Sequence, residues 1–108
     1  MSTILNGSLD AAKSLVREKL DTDNAWLVRG LLALHAKQTP DEQRNADTRH
    51  DNDRGFNSAD APLMTSFVRQ WNTRLWFSDK QLNRLRKTLR KYAGQLVRIA
   101  RENAAQAA

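Results

Sequence analysis

The chain has 108 residues, 40% of them apolar, no cysteine and a formal charge of +6. That length supports one small domain with one core, and the lack of cysteine excludes disulfides and thiolate metal sites. The charge is unevenly placed: residues 1–77 hold ten Lys/Arg against ten Asp/Glu, whereas residues 78–108 hold eight Lys/Arg against Asp79 and Glu102. A basic excess confined to one segment points to an anionic partner, nucleic acid most often and an acidic protein surface next.

No alternating run of β-branched residues marks a strand, and the apolar residues recur at helical spacing, so the fold class expected is all-α. The reading is a single domain over 1–108, a compact bundle of four main helices plus one short one, with residues 1–7 and 103–108 as flexible ends. Ser8 caps a first helix through about Leu20, burying Leu9, Ala12, Leu15, Val16 and Leu20. "DTDN" then turns the chain into a second helix, about Asn24 to Lys37, with Leu27, Val28, Leu31, Leu34 and Trp26 inward. Gly30 inside it costs roughly 1 kcal/mol against Ala, which suggests either close approach of a neighbouring helix or simple tolerance. The start signal "TPDE" follows, with Thr39 as cap and Pro40 at the first helical position, and opens a short polar helix.

Residues 49–60 read as an irregular loop in which Gly55 takes positive φ and Phe56 plugs the core. Asn57, Ser58 and Asp60 compete as cap of the next helix, and Asp60 is favoured because Pro62 then falls in the first turn; Leu63, Met64, Phe67, Val68 and Trp71 make its buried stripe through about Thr73. Ser78 and Gln81 form a capping box for the last helix, with Phe77 packing on Leu82 as a staple.

On a wheel of about 100° per residue, Leu82, Leu85, Leu89, Tyr92, Ala93, Leu96, Val97 and Ala100 of this last helix fall in one arc. Lys80, Arg84, Lys87, Lys91 and Arg98 lie opposite, with Arg90 and Arg101 on one shoulder and Arg86 at the apolar edge. A charge run is most often a solvated face. Here, however, no carboxylate is interleaved to form the i,i+4 pairs that a helix charged for solubility uses, and Gly94 leaves a gap where a phosphate backbone could approach. The ridge would grip phosphates through Lys80, Arg84, Lys87, Arg90, Lys91, Arg98 and Arg101, giving salt-dependent and weakly sequence-selective binding. Asn83 and Gln95 are the candidates on this helix for contacting bases. In "WNTRLWF", Trp71 and Phe77 are claimed by the core, which leaves Trp76 to stack on an unpaired base.

Other chemistries are poorly supported. His50, Asp51, Asp53 and Asp60 invite a metal reading, and "DNDRGFNSADAP" begins like a calcium loop with Asp51 and Asp53 two apart, but Gly55 stands at the third ligand position and Pro62 where the closing Glu belongs, so no metal and no other cofactor is expected. No nucleophile elbow, phosphate-cradling glycine loop or paired glutamates appear, and no catalytic residue is expected. The longest apolar stretch, "AWLVRGLLALHA", is shorter than the roughly 20 residues needed to cross a bilayer. The start of the chain does not resemble a secretory signal, so a cytoplasmic protein without membrane contact is expected.

The succession "QTPDEQ", "DRGFNSADAP", "SDKQL" and "LRKYAGQL", over about residues 38 to 100, resembles a pattern in small uncharacterised proteins of bacteriophages and other mobile elements. A similar Gly-Phe-Asn, Asp, Lys-Gln and Lys-Tyr-x-x-Gln-Leu succession occurs in stretches attached to phage helicases of the Swi/Snf type. The resemblance implies a phage setting in a bacterial cell and a role near DNA. It implies no catalytic residue, because the helicase motor lies outside the shared stretch, and it does not reach the first two helices. Two functions remain open: a nucleic-acid-binding accessory protein, and a phage-encoded protein that binds and modulates a host protein.

Overall fold

The computed structural model describes residues 4–37 and 55–107, and all regular structure among them is helical. Helix α1 spans Leu9–Thr22 and starts where Ser8 Oγ accepts the Ala11 N–H at 3.1 Å. Asp23 closes α1 through its backbone N–H and opens α2, Asn24–Ala36, by accepting the Ala25 N–H on its side chain at 2.9 Å. Helix α3 spans Ala61–Arg74, α4 spans Asp79–Leu89, a 3₁₀ turn covers Arg90–Tyr92, and α5 spans Ala93–Ala107. The expected short helix at "TPDE" and the first part of the expected loop lie outside the described residues.

Helix α2 is central, packing on α1, α3, α4 and α5, which accounts for a sequence that is apolar nearly all round. Leu27, Leu31 and Leu34 are fully buried there, and Gly30 faces Leu89 and Leu96. A methyl at Gly30 would sit 3.5 Å from both leucines, an ordinary contact, so the site accommodates glycine without demanding it. Helix α1 runs antiparallel to α4 and α5: Leu20 and Asp21 bond Arg86 and Arg90, while Ile4 and Gly7 bond Arg101.

Several expectations are corrected. The last helix is not continuous. A 3₁₀ turn winds about 20° further per residue than an α-helix, so the face of α5 is turned relative to α4. Ile99, outside the apolar arc of a continuous wheel, is accordingly buried. Leu9, expected inward, is 49% exposed, because it lies at the open end of the α1–α5 contact. Toward the ends of the described residues, Ile4 is in the core and α5 runs on to Ala107. Asp60 precedes α3 but makes no side-chain cap; instead Asn57 Oδ1 accepts the Asp60 N–H at 2.9 Å and Asn57 O accepts the Ala61 N–H at 3.0 Å. The Asp60 carboxylate is thereby released for contacts with the last helix.

Phe56 is the plug expected of it, buried and edge-on to Tyr92 at 5.6 Å. Gly55 has φ 83°, in the left-handed region that glycine enters without strain. The Ser78–Gln81 capping box is present in both directions. Behind it Phe77 stacks on Trp71 at 5.5 Å and meets Phe67 edge-on at 5.6 Å.

Candidate functional site

The basic segment is divided by what its side chains touch. Arg86 donates Nε to Leu20 O at 3.2 Å, one Nη to Asn24 Oδ1 at 2.9 Å and the other to Asn83 Oδ1 at 2.8 Å. It ties the end of α1 and the start of α2 to α4, and supplies a cation where the α1 macrodipole is negative. Arg90 forms an ion pair with Asp21 at 2.6 Å. Arg101 donates to Ile4 O at 2.8 Å and to Gly7 O at 3.0 Å, holding the segment before α1 against α5. Of the expected phosphate ligands, Arg90 and Arg101 are therefore engaged on the α1 side.

Lys91 is engaged on the other side. Its ammonium meets Asp60 Oδ2 at 2.9 Å, and the same oxygen accepts the Tyr92 hydroxyl at 2.6 Å. Tyr92 Oη in turn accepts the Asn57 N–H at 3.1 Å. One turn further on, the Gln95 amide brackets Gly55, accepting its N–H at 2.9 Å and donating to its carbonyl at 3.0 Å. This clasp accounts for the "KYAGQL" spacing: residues i, i+1 and i+4 of the last helix reach the "GFNSAD" loop together. Burial alone would raise the Asp60 pKa, but hydrogen bonds from Lys91 and Tyr92 and the charges of Lys91 and Arg84 hold it below the usual 3.8. Burial first, and then the bond to Asp60, push the Tyr92 phenol above its usual 10. Gln95, proposed to contact bases, is thus spent on the loop, and Asn83 has its carbonyl oxygen on Arg86.

Lys80, Arg84, Lys87 and Arg98 remain. All four are exposed and make no hydrogen bond or ion pair among the described residues, although Arg84 feels the Asp60 charge. Lys80, Arg84 and Lys87 follow one another at i+4 and i+3 as a row on α4, and Arg98 continues the exposed cations on α5 beyond the 3₁₀ turn. The gap expected at Gly94 is narrowed by Lys13 of α1, so that a Cβ on Gly94 would stand 3.0 Å from Lys13 Cε. Lys13, Gly94, Arg98 and Arg101 share a groove of about 440 Å³ with Leu9, Val97 and Ala105. Sequence reasoning missed Lys13 because only the antiparallel packing of α1 brings it to the row. Trp76 is 59% exposed beside Leu75, which is 69% exposed.

Of the calcium-like residues, His50, Asp51 and Asp53 lie outside the described residues, and Asp60 is committed to Tyr92 and Lys91. No helix among the described residues is long and apolar enough to cross a membrane. No family model matches the chain, and neither does any curated protein or solved structure.

Proposed function

We propose that the protein binds nucleic acid, DNA before RNA, by gripping the phosphate backbone through Lys80, Arg84, Lys87 and Arg98 without reading sequence. The observation that supports it is the division of the basic segment: Arg86, Arg90, Lys91 and Arg101 each have protein partners, whereas these four are exposed and have none among the described residues. Lys13 at the Gly94 crossing extends the positive surface at one end. The phage setting and the accessory role near DNA follow from the resemblance of the "GFNSAD" and "KYAGQL" stretches.

Titration against short duplex and single-stranded oligonucleotides over a range of salt tests this. Four phosphate contacts give a slope of log Kobs against log salt of about −3.6 on duplex and about −2.8 on a single strand, and all seven cations first considered would give about −6 on duplex. Arg84→Glu together with Lys87→Glu should abolish binding and leave the unfolding midpoint nearly unchanged, since neither side chain holds the fold. A flat salt response, or no binding at low salt, refutes the reading. The second reading, modulation of a host protein, draws support from the exposed Leu75 and Trp76, the kind of apolar surface that interfaces use. It predicts a stoichiometric host partner whose binding survives the double charge reversal.

A further inference from the structure

The cationic row begins beside the turn Leu75–Ser78. On a floppy loop an exposed tryptophan would mean little, but this turn is held rigidly. Leu75 adopts the left-handed conformation, φ 55° and ψ 34°, with its N–H on Trp71 O at 2.9 Å. Gln70 Nε2 donates to Trp76 O at 3.0 Å and to Gln81 Oε1 at 2.9 Å, and Gln81 Nε2 returns a bond to Gln70 Oε1 at 2.7 Å. Phe77, the next residue, is locked in the core against Trp71. The Trp76 indole therefore stands on a fixed base, at the edge of a cleft of about 270 Å³ lined by Ala25, Val28, Trp71 and Leu82.

Lys80 follows four residues after Trp76, and Arg84 and Lys87 continue at helical spacing along the same outward side. Asp79, exposed in the first turn of α4, disfavours a phosphate at the Trp76 end but tolerates an uncharged base. Within a duplex each base has both faces covered by its neighbours, so it offers no ring face to an indole; an unpaired strand does. Resting on the nucleic-acid reading above, we infer that the ligand is single-stranded or carries an unpaired end. Its phosphates lie along Lys80, Arg84 and Lys87, and one base stacks on Trp76.

The test is fluorescence anisotropy with labelled oligothymidine and a blunt duplex of equal length, on the full chain and its variants. Trp76→Ala should weaken oligothymidine binding by roughly five- to 150-fold, the range for one lost base stack, while duplex affinity and the salt slope stay as they were. Trp76→Phe should recover much of the loss, and a thermal unfolding curve checks that each variant folds. A Trp76→Ala protein that binds oligothymidine as the wild type does, or that weakens on both ligands equally, overturns this inference and leaves the ridge reading standing. Loss of both ligands on Arg84→Glu with Lys87→Glu, combined with the selective Trp76 effect, supports both. Failure of the wild type to bind either probe overturns both.

Discussion

Replacing Asp60 by Asn should lower stability and raise nucleic-acid affinity together. The carboxylate accepts the Tyr92 hydroxyl at 2.6 Å and the Lys91 ammonium at 2.9 Å, and its side chain is only 11% exposed. A hydrogen bond to a charged group contributes about 1.5–3 kcal/mol and a neutral one about 1, so the amide keeps part of the Tyr92 bond. Lys91 is 57% exposed, and its pair adds no more than about 1 kcal/mol. The expected loss is about 1–2 kcal/mol, or about 5–15 °C in Tm for a domain of this size. Because the Asp60 pKa is lowered on folding, its stabilisation is complete above the usual 3.8 and is lost as the pH falls through the folded value. The gap between wild type and variant should therefore close in acid. On the binding side, the substitution frees Lys91 and removes a negative charge from beside Arg84. One more phosphate contact steepens the duplex salt slope by about 0.9. Urea unfolding at a series of pH values and salt-dependent anisotropy measure the two halves. Unchanged stability would refute the clasp, and a destabilised variant with unchanged affinity and slope would take Lys91 off the phosphate-facing side.

Arg86→Ala removes two hydrogen bonds that tie α1 and α2 to α4 and a third to Asn83 within α4, so it should lose about 1–3 kcal/mol in urea unfolding and leave the salt slope unaltered. Gly94→Ala adds a methyl 3.0 Å from the flexible Lys13 stem and gains helix propensity; it should be neutral or stabilising by up to about 1 kcal/mol, with oligonucleotide binding retained. A fall in affinity there would show that a phosphate does enter at Gly94. Burial, and then the charge of Arg69, lower the His35 pKa below its usual 6.5. The unfolded chain therefore takes up that proton first, and stability should decline as the pH drops from about 6.5 toward the folded value. In His35→Gln the unfolding midpoint should be flatter across that window, which lies above the acid range where Asp60 acts.

The helices were legible because their signals are local. Ser8, Asp23 and the Ser78–Gln81 box each act within a few residues, and the buried stripes of α1, α2 and α3 follow one period. What escaped was decided between elements distant in sequence. Nothing in "RKYAGQL" says that its helix tightens into a 3₁₀ turn, or that Tyr92 and Gln95 reach across the fold to meet Asn57, Asp60 and Gly55. Asp60 could be placed before α3 from Pro62, but its carboxylate had competing uses, and a lysine and a tyrosine more than 30 residues away outweighed one helix cap. The site was legible as a set of cations but not in its division. The wheel puts Arg90 on a shoulder and Arg98 on the outer side and counts both as phosphate ligands, whereas the antiparallel α1 puts Asp21 against one and leaves the other in water.

That division also bears on what the phage resemblance can carry. Gly55, Phe56, Asn57, Asp60, Gln81, Lys91, Tyr92 and Gln95 all fall within the stretches that make the resemblance, and each has a structural role: a left-handed turn, a core plug, a capping amide or a bond across the clasp. Lys80 is the exception, exposed and without a partner among the described residues. A chain sharing these stretches would share the way its loop is fastened to its last helix. It need not share Arg84, Lys87 or Arg98, none of which touches the clasp. The nucleic-acid reading therefore stands on the free row itself and not on the resemblance. On that reading, removing the row should abolish binding and keep the fold, whereas loosening the clasp should cost stability and leave the row in place.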